Sequence, residues 1–194
     1  MKSNRKAEMG VGTLIIFIAM LLVAAVAAGV LLQTAGSLQQ KALVTGQSTK
    51  AEISTNARVI EVSAVDGSDG NLENFSMQMK LSPGSDPMKL DEITLTFNTD
   101  NTTTTLTYSK SINFSTTPGS PTGTFGVEYL INGSNHVEGN LQRGDVIRVF
   151  IQSSRDIEED EHIRINWIPK IGTATLVEFN TPDVIATERV YTYP

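Results

Sequence analysis

VGTLIIFIAMLLVAAVAAGVLL, residues 11–32, decides the architecture of this 194-residue chain. No charged side chain stands between Glu8 and Lys41. At the helical rise of about 1.5 Å per residue, such a run reaches about 33 Å, enough to cross a hydrocarbon core of about 30 Å. It is apolar all round, so as a helix it needs lipid or protein on every side. Two small-xxx-small spacings, Ala24 with Ala28 and Ala25 with Gly29, permit close approach of a second helix. Alanine and glycine are common in any membrane helix, so the spacing alone leaves self-association and plain anchoring both open.

Ahead of the run lies a short basic leader, MKSNRKA, with Lys2, Arg5 and Lys6. The apolar stretch exceeds the roughly 7–15 residues of an ordinary signal peptide, and no A-x-A site precedes a globular start. The basic leader places the N-terminus in the cytoplasm and the C-terminal region outside. Behind the run, residues 36–54 (GSLQQKALVTGQSTKAEIS) are polar and still helix-compatible, with Leu38, Ala42 and Thr45/Gly46 on one stripe. A helix over 8–56 would be roughly 70 Å long, more than any bilayer needs, so its second half must stand in water or against a partner.

From Arg58 the period changes to that of strands. Alternating segments rich in Val, Ile, Thr and aromatics are expected to form strands at 75–81, 92–98, 103–109, 124–131, 145–151, 162–168, 173–179 and 189–193. A further one starts at Val59, and turn-forming clusters separate them: DGSDGN, SPGSDP, TTPGSPTG, NGSN, QRGD and TPD. About nine short strands without a helix among them argue for an antiparallel, Ig-like β-sandwich. The fold class is therefore α+β, with a leader at 1–7, a long helix at 8–56 and a β-sandwich head at 57–194. The segments 99–105 and 115–123 read as exposed loops.

The formal net charge is -6; removal of the three leader cations takes it to -9. That excludes nucleic acid as a natural partner, because phosphate recognition needs clustered Lys and Arg. The chain has no cysteine and two histidines, His136 and His162, which excludes a disulfide framework and thiolate metal sites. An oxygen-ligand Ca²⁺ site remains open at the acidic run Asp156, Glu158, Glu159, Asp160 and Glu161, against the simpler reading of a solvated acidic turn. No nucleophile elbow, phosphate loop or HExxH is present, so neither a catalytic residue nor a cofactor is assigned. Four N-x-[ST] sequons, at Asn74, Asn101, Asn113 and Asn132, make a glycosylated exterior an expectation. The tripeptide at Arg143–Asp145 resembles an adhesion motif, but a hairpin turn explains its Gly and Asp equally well.

The ordered blocks G-V-G-T-L-I, F-I-A-M, V-A-A-V-A-A and Q-T-A-G-S-L-Q-Q-K-A, all within residues 10–46, resemble the N-terminus of the archaeal flagellins, or archaellins. The resemblance implies a class III signal peptide cut by a prepilin-type membrane peptidase between Ala7 and Glu8. The family's usual Lys-Lys-Gly before the cut is Arg5-Lys6-Ala7 here. It further implies a membrane-inserted precursor, an extracellular helical homo-oligomer, alone or with other archaellins, and rotation driven by a membrane platform protein and a motor ATPase. Ala24, Ala25, Ala28 and Gly29 would then pack inside the filament core. An adhesion pilin of the same build is the rival reading, and a monomeric membrane-anchored surface domain the second. The S-L-Q-Q-K-A block favours the archaellin.

Overall fold

A computed structural model describes residues 5–110 and 123–193. The chain divides into two units, Met1–Ser48 and Thr49–Pro194.

The first unit is almost entirely one helix. Helix α1 spans Arg5–Ser54 and ends in the second unit. Nothing in its interior breaks it: Gly10, Gly12, Gly29, Gly36 and Gly46 are single glycines among good helix formers, and the first proline of the chain is Pro83. Four of its hydroxyls are satisfied internally. Thr13 donates to the Gly10 carbonyl at 2.9 Å, Thr34 to Leu31 at 3.0 Å, Ser37 to Thr34 at 3.0 Å and Ser48 to Val44 at 3.0 Å. These bonds remove the desolvation cost that a free hydroxyl would carry into an apolar surrounding. The helix begins upstream of the Ala7–Glu8 bond, so it runs through the expected cut without a break.

Among the described residues the second unit holds eleven strands: β1 Ala57–Ala64, β2 Leu72–Leu81, β3 Met88–Lys89, β4 Ile93–Asn98, β5 Thr103–Tyr108, β6 Thr124–Ile131, β7 Asn140–Leu141, β8 Val146–Ile157, β9 His162–Pro169, β10 Thr175–Asn180 and β11 Val190–Tyr193. Nine of them form one sheet in the order β10-β9-β4-β5-β6-β8-β2-β1-β11, and β3 pairs with β7. Every pairing is antiparallel except β5 with β6, joined in parallel at Thr107–Thr124 and Tyr108–Phe125. That pair is the corner at which the sheet folds into two layers. Aromatic contacts between the layers define the core: Phe75 on β2 lies 5.4 Å from Phe97 on β4 and 6.4 Å from Phe179 on β10, and Phe125 on β6 lies 5.6 Å from Trp167 on β9. Strict alternation of buried and exposed positions along β4 and β9 supplies this face.

The expected strands are therefore present, and the short pair β3 and β7 is added to them. β8 runs to Ile157 and takes in Asp156, because Asn74 and Gln152 keep the β2–β8 ladder going past a register shift. Residues 103–105, read both as the start of a strand and as the end of an exposed loop, belong to β5, where Thr105 stands opposite Thr96 on β4. The loop expected at 115–123 lies outside the described residues up to 122.

Candidate assembly surface

The helix of the first unit is the outstanding surface. Between Met9 and Val44, eighteen large apolar side chains stand 48–75% exposed. Covering such groups is worth on the order of 1–2 kcal/mol each, so the helix is not built to stand alone in water. Ile16, Met20 and Val23 rim a shallow dish with Ala19 and Ala24. Gly29 has open space where a Cβ would stand, which leaves room for another backbone beside Ala24, Ala25 and Ala28. Glu8, the residue after the expected cut, lies in the first turns of the helix and is exposed.

The end of α1 is tied into the β unit by side chains distant in sequence. Ser85 Oγ lies 3.2 Å from the Ser54 carbonyl and 2.9 Å from that of Asn56, and accepts the Asn56 N–H at 3.0 Å. Thr173 N–H donates to the Thr55 carbonyl at 2.9 Å. Gly172, with φ of 120°, sits so close that a Cβ there would be 2.5 Å from the Thr55 oxygen. Orphan carbonyls at the helix end are thus satisfied by the head.

The sequons separate on geometry. Asn74 lies half-buried in β2, its Nδ2 donates to Asp66 Oδ2 at 2.9 Å, and Ser76 is buried against Ser63 at 3.0 Å. A transferase needs a free amide nitrogen and a reachable hydroxyl, so this sequon is a strand element and not a surface site. Asn101 and Asn132 are exposed in turns, with Thr103 and Ser134 exposed beside them. Asn113 lies outside the described residues.

The tripeptide ending in Asp145 is a fastening. Asp145 is fully buried; its Oδ1 accepts the Gly133 N–H at 2.7 Å and its Oδ2 the Gln142 N–H at 3.1 Å. His136 Nδ1 lies 3.3 Å from the same Oδ2 and stacks edge-on to Tyr129, whose hydroxyl accepts from Gly139 N–H and donates to the Asn140 carbonyl. Burial pushes the Tyr129 hydroxyl up to about 12. Spacing alone did not disclose this cluster, since Asp145 and Gly133 are twelve positions apart.

The acidic run is also dispersed. Glu161 is buried and paired with Arg155, Glu159 accepts the Ile185 N–H at 3.1 Å, and Asp156 shares a hydrogen bond with Glu73. Among the described residues no three His, Cys, Asp or Glu side chains are gathered to hold a metal ion. The bond to Asp156 and the surrounding negative charge raise Glu73 above the ordinary carboxylate value. Burial raises Asp66, against three hydrogen bonds from Glu73 and Asn74 that lower it.

A 50-residue helix, exposed and apolar over its first part and followed by a β head, defines a class of protein whose helix is left for lipid or other chains to cover. The model of archaeal-type flagellin matches residues 7–179, and the chain belongs to that family. It is 30% identical to Flagellin B4 of Pyrococcus abyssi over 92% of this chain and 94% of that protein, and 30% identical to Flagellin B1 of Methanococcus voltae over 97% and 95%. Flagellin B1 of Thermoplasma volcanium is 39% identical over 71% of this chain, a match that spans 57% of that protein. In fold, the chain resembles the archaeal flagellum of Methanospirillum hungatei, with a TM-score of 0.67 at 22% identity, covering 91% of this chain and 98% of that one. It also resembles an archaeal flagellin from Methanocaldococcus jannaschii, with a TM-score of 0.62 at 16% identity, covering 71% and 96%.

Proposed function

We infer that this chain is a structural subunit of the archaellum filament, in which α1 packs against the same helix of other copies and the β unit forms the exterior. The observation that carries this is the helix surface: an apolar coat from Met9 to Leu32, carried on by Leu38, Leu43 and Val44, that this chain leaves uncovered. An apolar helix exchanges lipid for neighbouring helices at little polar cost, because its backbone and hydroxyl groups are already hydrogen-bonded. The precursor is membrane-inserted through this helix. A prepilin-type peptidase removes residues 1–7 at Ala7–Glu8, since the cations of the leader would resist burial among packed helices. Rotation of the extracellular filament is supplied by the membrane platform protein and motor ATPase of the archaellum. The chemistry of the chain is that of assembly.

Mass spectrometry of protein sheared from the cell surface, with electron microscopy of the same fraction, tests the reading. Chains beginning at Glu8 within thin filaments support it. Chains beginning at Met1, confined to membranes, overturn it in favour of an anchored surface domain. The same spectra test the exterior: Asn101→Gln and Asn132→Gln each remove one glycan mass, and Asn74→Gln removes none.

A further inference from the structure

The two ends of the β1–β10 side of the head carry surfaces that match each other. At one end, β1 and β10 leave a groove of about 620 Å³, lined by Arg58, Ile60, Lys80, Leu176 and Tyr193 among others. Two strand edges are unpaired along it: β10 ends the sheet, and β11 covers β1 only at Val62, Ser63 and Ala64. Such edges are ready to pair with another chain. Ile60 sits at a register shift between β1 and β2, which aims it outward; it is 39% exposed, and Leu176 is 53% exposed. Arg58 and Lys80 stand directly opposite each other across β1 and β2, and neither forms an ion pair among the described residues. Like charges so placed repel, and the lining holds no carboxylate to relieve them.

At the other end, residues 181–189 form an irregular loop held at its base. Ile185 is buried, its N–H bonds Glu159, and Gly67 N–H donates to the Glu188 carbonyl at 3.1 Å. Val184 projects from it 70% exposed, more than any other large apolar side chain beyond the end of α1 among the described residues. Around it lie Asp183 and Glu188 of the loop and Glu158 and Asp160 of the adjoining turn, all exposed, against one cation, Arg189.

We propose that the groove at Ile60 and Leu176 receives the Val184 loop of a second copy, with Arg58 and Lys80 facing that copy's Asp183 and its neighbouring carboxylates. This rests on the filament reading and adds to it the contact between heads. Val59 lies near the start of β1 and Gly67 beyond its end at Ala64, eight residues on and at most about 26 Å away. One copy therefore cannot satisfy itself. A contact between two different surfaces repeats from copy to copy, and where its rotation does not close a ring it generates an open helical array.

The absence of cysteine makes the test direct. Filaments of the Ile60→Cys, Val184→Cys double variant, oxidised or treated with a short bis-maleimide, are expected to give a ladder of covalent multimers, and either single variant only monomers. Filaments of normal width without a ladder overturn the proposal. Failure of the unsubstituted chain to form filaments overturns the underlying reading instead. If the cysteines block assembly, charge exchange decides: Lys80→Glu and Asp183→Lys should each lower filament yield at low salt about fivefold. The two together should restore it, and no restoration overturns the proposal.

Discussion

The helix and the β unit solve the burial problem in opposite ways. The head hides its large residues within one chain, with Phe75, Phe97, Phe125 and Trp167 all at 2% exposure or less. The helix leaves its large apolar side chains between Met9 and Val44 exposed. The head is thus folded as a monomer, whereas the helix is left for other chains or lipid to cover. Stability and assembly are separately encoded, and substitutions should fall cleanly on one side or the other.

The sharpest break is Ala25→Lys. A charge inside packed helices should abolish filaments while leaving the thermal transition of the head unchanged, as read by microscopy and circular dichroism. Filaments of normal appearance from this variant would sink the buried-helix reading. Next is Asp145→Ala, which strands the Gly133 and Gln142 N–H groups in the interior. It should cost the head about 2–4 kcal/mol in denaturant unfolding, which a merely adhesive tripeptide would not. Gly172→Ala should cost about 1–3 kcal/mol through its positive φ and its collision with Thr55.

The smallest effect is one of pH. Glu73 is raised in the folded head, so the fold holds that proton more tightly than the unfolded chain does. Its contribution is present below the ordinary value of 4.5 and is lost as pH rises through the raised one. Glu73→Gln should therefore unfold at a higher temperature than the parent at neutral pH, with the gap closing on acidification. A gap independent of pH would remove the Glu73–Asp156 contact as its cause.

The sequence made the helix legible because apolarity without a period, over more than five turns, has few structural meanings. Strands were legible wherever one face is buried and the other wet, as in β4 and β9. What stayed hidden depends on contacts between distant positions. Asp145 reads as a turn residue and is a buried acceptor. Asn74 reads as a sequon and is a ladder residue with its amide spent on Asp66. The acidic run reads as one cluster, yet Arg155, Ile185 and Glu73 pull its members apart. The archaellin blocks pointed to the family from a fifth of the chain, while the Ile60 groove and the Val184 loop have no linear signature.

The fastening at the end of α1 also has a mechanical meaning. Ser85, Thr173 and Gly172 approach Ser54, Thr55 and Asn56 from segments about 30 and 118 positions away. A pull or twist arriving through the last helical turn is therefore shared by several hydrogen bonds at once, before it reaches the single covalent thread into β1. A filament under hydrodynamic drag would strain these bonds in parallel. The point where helix gives way to sheet is thus the stiffened part of the subunit and not its weak link.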